Sequence, residues 1–152
     1  NYNSPQQIVI TGDEDAVKKA GELLLEKGAR RVVPLAVSGA FHSEYMKSAG
    51  EKFGEFVKEF DVKETQIPVV TNVDAEFTTS DFKEKMSKQI YSSVQWTQSI
   101  EKMIENGVDT FIEFGNGTVL AGLNKKINPT VTTYNVSNKE TLEKTIQALS
   151  EV

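Results

Sequence analysis

The chain contains a single histidine, His42, and no cysteine. His42 stands in Val37-Ser38-Gly39-Ala40-Phe41-His42-Ser43, where a β-branched run hands over to an amphipathic stretch. Imidazole titrates close to neutral pH, so a histidine held at a strand-to-helix turn suits general acid–base catalysis. The same placement fits a capping or surface histidine, because a single residue carries no geometry. Arg30 and Arg31 open the strand that leads to His42. Neighbouring strand residues face opposite sides, so at most one of the two guanidinium forks can reach a cleft mouth. The pair also fits a solvated surface after a helix end, as does Lys125-Lys126. Gly115-Asn116-Gly117 joins a strand to a helix, a place where anions bind, but no Gly-x-Gly-x-x-Gly and no Gly-Lys-Ser follows it. These glycines read as structural. Without thiols or a second histidine, neither a disulfide nor a metal site is expected.

The elements that must position these residues alternate. Gln7 to Thr11 reads as a strand ended by Gly12, and Asp13-Glu14-Asp15 opens a helix with Gly28 as its C′ residue. Arg31 to Val37 is the next strand, carrying Val32, Val33, Leu35 and Val37. Ser43 is placed to cap the following helix, in which Met46, Ala49, Phe53, Phe56, Val57 and Phe60 form an apolar stripe expected in the core. Ile67 to Val73 is a strand entered through Pro68. Asp81 stands near the cap of a helix with Phe82, Met86 and Ile90, and Thr97 caps one with Ile100, Met103 and Ile104. Val108 to Phe114 is a strand that Gly115-Asn116-Gly117 turns into a helix, stopped by Pro129. Val131 to Val136 is the last strand, and Ser137 with Glu140 forms a capping box for the last helix. Strands alternating with helices predict an α/β fold with a mainly parallel sheet.

A length of 152 residues suits one domain with a sizeable core, and 38% hydrophobic with 26% charged residues is an ordinary globular balance. A net charge of −5 argues against nucleic acid as a partner. No apolar run is long enough to span a membrane and the N-terminus has no signal-peptide pattern, so no membrane role is expected and the cytoplasm is the default location. The absence of an initiating methionine agrees with a start inside a longer chain.

Five stretches, in order, resemble the malonyl-CoA:acyl carrier protein transacylases and the related acyltransferase domains of polyketide synthases. They are Asn1 to Gly12, Val37 to Ser43, Pro68 to Asp74, Gln89 to Trp96, and Glu113 to Leu123. The family's nucleophilic serine, in a Gly-His-Ser-Leu-Gly elbow, and its malonyl-binding arginine lie upstream of all five, and no Gly-x-Ser-x-Gly occurs here. The chain therefore resembles the C-terminal half of such an enzyme and alone is expected to be inactive. Where the family has Gly-Pro-Gly-Lys, this sequence has Gly115-Asn116-Gly117-Thr118.

The resemblance implies part of a ferredoxin-like small subdomain over residues 1–40, then the C-terminal part of an α/β-hydrolase-like acyltransferase subdomain over 41–152. It implies malonyl transfer from coenzyme A to acyl carrier protein in fatty acid synthesis, with malonyl-CoA as substrate and no cofactor beyond the phosphopantetheine that the partner carries. His42 would be general base and acid, and the main-chain carbonyl of Gln89 would orient it. Phe41 would wall the acyl pocket and exclude an α-methyl branch, although by residue type it fits a core position too. Arg30 and Arg31 would contact phosphates of coenzyme A or the carrier, and Asn3, with Asn1 and Ser4, would line the cleft. The reading from another class is a non-catalytic, flavodoxin-like α/β module that binds a nucleotide or a partner protein.

Overall fold

The computed structural model describes residues 1–37 and 39–151, and helices and short strands mix along the chain, alternating singly only after α4. In chain order the elements are β1 Tyr2–Ser4, β2 Gln7–Ile8, α1 Glu14–Glu26, α2 Lys47–Val57, β3 Val69–Val70, β4 Phe77–Thr78, α3 Phe82–Lys88, α4 Trp96–Glu105, β5 Thr110–Phe114, α5 Val119–Ile127, β6 Thr132–Val136 and α6 Lys139–Ser150. They gather into two units, Asn1 with Val9–Val94 and Tyr2–Ile8 with Gln95–Val152.

In the first unit, Asp13 caps α1 by accepting from the Ala16 N–H at 3.0 Å. The helix closes at Gly28, whose φ of +97° suits glycine. Gly28 N–H donates to Leu25 O and Ala29 N–H to Leu24 O, which satisfies two of the last carbonyls. α2 packs on α3, and β3 pairs antiparallel with β4. Val57 and Ala75 are buried.

Several expectations for this unit are corrected. Arg31 to Val37 is not a strand. No strand among the described residues lies beside it to complete a ladder, and Val33, Leu35 and Val37 are 54%, 57% and 68% exposed. The stripe on α2 is only partly core: Val57 is buried, whereas Phe56 and Phe60 meet edge to face 5.0 Å apart and stay half exposed. Ser43 precedes a 3-10 turn, Glu44–Met46, without capping it. Its hydroxyl donates to Ala40 O at 2.6 Å instead. The strand expected from Ile67 to Val73 shrinks to β3, and β4 escaped the periodicity because two residues show no period.

In the second unit, β5 and β6 run parallel and in register from Thr110↔Thr132 to Phe114↔Val136. They are the only parallel pair among the described residues, so the mainly parallel sheet reduces to two strands of three small sheets. Likewise β2 stops at Ile8 and forms a short antiparallel hairpin with β1. The core here is Ile100 and Leu123, with Ser4, Ser99, Asn124 and Thr145 also buried. Asn124 accepts from Trp96 Nε1 at 3.2 Å and donates to Thr133 Oγ1 at 3.3 Å, linking α4, α5 and β6. Thr97 lies inside α4 rather than capping it, and its hydroxyl donates to Tyr2 O at 3.0 Å. The capping box of α6 falls one residue later than expected, on Asn138 and Thr141. Both residues have the side-chain oxygen that a cap needs, and the loop ends at Asn138.

The turn after β5 has an internal anchor at each end. Asn135 Nδ2 donates to Gly117 O at 2.6 Å and Gly115 O at 3.3 Å. Glu113 accepts from Leu120 N–H and Ala121 N–H, both at 3.0 Å, and so fills the N-terminus of α5 with its own carboxylate. Side chains of β5 and β6 thus supply both anchors. Glu113→Ala is expected to destabilise the protein by about 1–2 kcal/mol, the range for losing a helix cap. Urea denaturation measures it, and an unchanged midpoint would show that water replaces the carboxylate without loss.

Candidate active site

His42 is reached from the unpaired stretch before it and leaves into the 3-10 turn that starts α2. Its backbone has φ +63°, a left-handed conformation uncommon outside glycine. Main-chain carbonyls from the exit of α3 surround it. His42 N–H donates to Ile90 O at 3.0 Å. The ring Nδ1 lies 2.9 Å from Gln89 O and 3.1 Å from Ser92 O. Both neighbours are acceptors only, so the network assigns the proton to Nδ1 and leaves Nε2 with its lone pair. Among the described residues Nε2 has no hydrogen-bond partner, and the side chain is half-buried. A half-buried imidazole with a fixed tautomer and a free Nε2 can take a proton from a nucleophile and return it to a leaving group.

The exit of α3 is itself held. Gln89 N–H donates to Lys85 O at 3.0 Å, and Ser92 N–H to Lys88 O at 2.9 Å. Lys85 pairs with Asp74 in the turn between β3 and β4, where Thr71 Oγ1 donates to Asp74 at 2.9 Å and Glu76 N–H at 3.2 Å. Partial burial pushes the Asp74 carboxyl upward, but the hydrogen bonds from Lys85, Thr71 and Glu76 outweigh it and hold the group below its ordinary value of 3.8.

The other expected residues sit as follows. Phe41 is 52% exposed and so is not a core residue. Its ring covers Gly39, where an added Cβ would stand 3.3 Å from Phe41 Cε2. Arg30 and Arg31 are exposed and make no ion pair among the described residues. Gln89 and Phe41 belong to the same unit as His42, as do both arginines. Asn3 lies in the middle of β1, in the other unit, beside the buried Ser4. The sequence reading missed the Ile90 and Ser92 carbonyls, because a main-chain acceptor leaves no trace in residue type. A cavity of about 370 Å³, lined by residues such as Lys63, Asp81 and Lys83, does not include His42. Among the described residues no group of His, Asp and Glu is arranged to hold a metal ion, and no helix is long and apolar enough to cross a membrane.

The imidazole of this α/β chain is thus aimed by main-chain oxygens. The family model described as acyl transferase domain matches residues 1–142, and the chain belongs to that family. It is 50% identical to the malonyl CoA-acyl carrier protein transacylase of Bacillus subtilis over 99% of its own length and 48% of that protein's. Against the transacylase of Staphylococcus aureus the identity is 44%, over 92% of this chain and 46% of the relative. Among solved structures, malonyl CoA-acyl carrier protein transacylase from Clostridium perfringens superposes with TM-score 0.94 at 41% identity, covering 99% of this chain and 48% of that one. A holo complex of a type II PKS acyl-carrier protein with its malonyl-transacylase gives TM-score 0.93 at 36% identity, covering 97% and 48%. The chain thus spans about half the length of the curated relatives it matches. Family membership leaves the flavodoxin-like module without support.

The Asp74 brace has a pH signature. A carboxyl whose pKa is lowered by folding stabilises the protein fully above its unfolded value, near 3.8, and loses that contribution as pH falls through the lower folded value. Stability measured from pH 6 down to about pH 2 should therefore fall less steeply in Asp74→Asn than in the unaltered protein. Parallel curves would show that the brace contributes nothing.

Proposed function

We propose that this chain is the C-terminal portion of an [acyl-carrier-protein] S-malonyltransferase, which carries malonyl from coenzyme A to acyl carrier protein in fatty acid synthesis. The observation that carries the reading is His42, with Nδ1 held by carbonyls and Nε2 free, in a chain of the acyl transferase family. The nucleophile is a serine in the portion of the polypeptide upstream of this segment. His42 Nε2 takes the serine proton as Oγ attacks the thioester carbonyl. The tetrahedral intermediate collapses, the C–S bond breaks, and the imidazolium returns its proton to the departing coenzyme A thiolate. The carrier's phosphopantetheine thiol then gives its proton to His42, attacks the serine ester, and serine leaves with that proton. No cofactor takes part, and the reaction runs in the cytoplasm.

Gln89 orients the base through its carbonyl, as aspartate does in the serine hydrolase triad. Arg30 and Arg31, exposed and unpaired among the described residues, meet the phosphates of coenzyme A or of the carrier's arm. Asn3 lines the cleft. Residues 1–40 belong to the small ferredoxin-like subdomain and 41–152 to the large one.

In the full-length enzyme, His42→Ala should lower kcat/KM for malonyl transfer by roughly a thousandfold or more while circular dichroism stays unchanged. Activity near that of the unaltered enzyme would overturn the reading of His42 as base.

Phe41 tests the acyl group. Its exposed ring next to the base fits a pocket wall better than a core residue. Phe41→Ser should raise the ratio of kcat/KM for methylmalonyl-CoA over malonyl-CoA about tenfold, equivalent to relieving about 1.4 kcal/mol of clash with an α-methyl group. A flat ratio in the folded variant would remove Phe41 from the pocket.

A further inference from the structure

Helix α2 carries two glycines four residues apart, Gly50 and Gly54, on the face toward α3. A Cβ on Gly50 would lie 2.5 Å from Tyr91 Cδ1 and 2.9 Å from the main-chain oxygen of Ser87. A Cβ on Gly54 would lie 2.9 Å from Ser87 Oγ. The hydroxyl of Ser87 crosses the contact and donates to Gly50 O at 2.7 Å. Neither helix could approach so closely with a side chain at position 50, since a backbone oxygen is among the atoms that would have to move.

The place of this contact in the chain gives it a meaning beyond packing. His42 comes just before the turn that feeds α2, and the carbonyls that hold His42 come just after α3. From His42 the chain runs through Glu44–Met46 into α2, crosses at Gly50 to Ser87, and continues through Gln89, Ile90 and Ser92 back to His42. The ring and its acceptors are thus the open ends of one helix pair, joined at the glycine contact. Only one residue separates Ser87 from Gln89, and Tyr91, the other side chain over Gly50, lies between Ile90 and Ser92. A slide of α3 along α2 would shift the Gln89 and Ser92 carbonyls relative to the imidazole.

We propose that Gly50 and Ser87 are positioning residues for the base: their contact sets the distance from the Gln89 and Ser92 carbonyls to His42 Nδ1 and so fixes which ring nitrogen is free. This rests on the reading of His42 as the base of the acyl transfer. Misplacing a reacting group by about 1 Å can cost on the order of a hundredfold in rate, so even a small slide is visible in turnover. A purely structural contact would instead change stability and leave turnover alone.

The test uses the full-length enzyme with Ser87→Ala, Gly50→Ala and, as reference, His42→Gln. Ser87→Ala removes the cross-helix hydrogen bond without adding volume. It should lower kcat about three- to tenfold while KM for malonyl-CoA stays within about twofold. Gly50→Ala should lower kcat about tenfold or more, and if it does not fold, Ser87→Ala decides. Nitrogen-15 spectra report the tautomer, with the His42 ring assigned by its loss in His42→Gln. The unaltered enzyme should show one species protonated at Nδ1, and Ser87→Ala a mixture of both tautomers. A folded Ser87→Ala enzyme with unaltered kcat and a single tautomer would overturn the proposal. If His42→Gln itself retains turnover, the reading of His42 as base falls, and the tautomer spectra still judge the positioning claim separately.

Discussion

Three main-chain carbonyls within residues 89–92 point at one residue, and the site depends on that convergence. Ile90 O fixes the His42 backbone, and Gln89 O and Ser92 O share the ring's Nδ1. The left-handed backbone at His42 costs roughly 1–2 kcal/mol for a residue with a Cβ, which the Ile90 contact helps to offset. Neutral acceptors differ from a carboxylate in one respect that matters. They carry partial charge only and do not titrate, so the orientation they impose on the imidazole is insensitive to pH.

Braces outside the site keep the carbonyls in place. Asp74, held by Thr71 and the Glu76 N–H, ties Lys85 of α3 to the turn between β3 and β4, and the glycine face of α2 closes on the far side. Neither brace touches the imidazole. Each acts by limiting the motion of a helix seven residues long, too short to be stable without such support.

The legible parts of the sequence were those set by local chemistry. The helix start at Asp13-Glu14-Asp15, the glycine stop at Gly28, the strand–glycine–helix passage from Thr110 to Ile127 and the β6 strand all follow from side-chain type and spacing. The stretch Arg31 to Val37 shows the limit of that reading. Its alternating valines describe a strand, but a strand exists only where another lies alongside, and none does among the described residues. Caps were misplaced for a related reason. Ser43, Thr97 and Ser137 have the right hydroxyl, yet Ser43 and Thr97 spend theirs on a carbonyl and the box of α6 forms at Asn138. The candidate base was visible by type, whereas its acceptors were not, because a carbonyl belongs to every residue alike.

The carboxylate that Glu113 lends to the N-terminus of α5 amounts to a permanently bound anion. Held by a tether of only a few residues, it competes at an effective concentration of about millimolar or more, with no cost for bringing two molecules together. A turn with the outline of a nucleotide cradle thus has its helix N-terminus taken up by the chain's own carboxylate, which any incoming phosphate would have to displace.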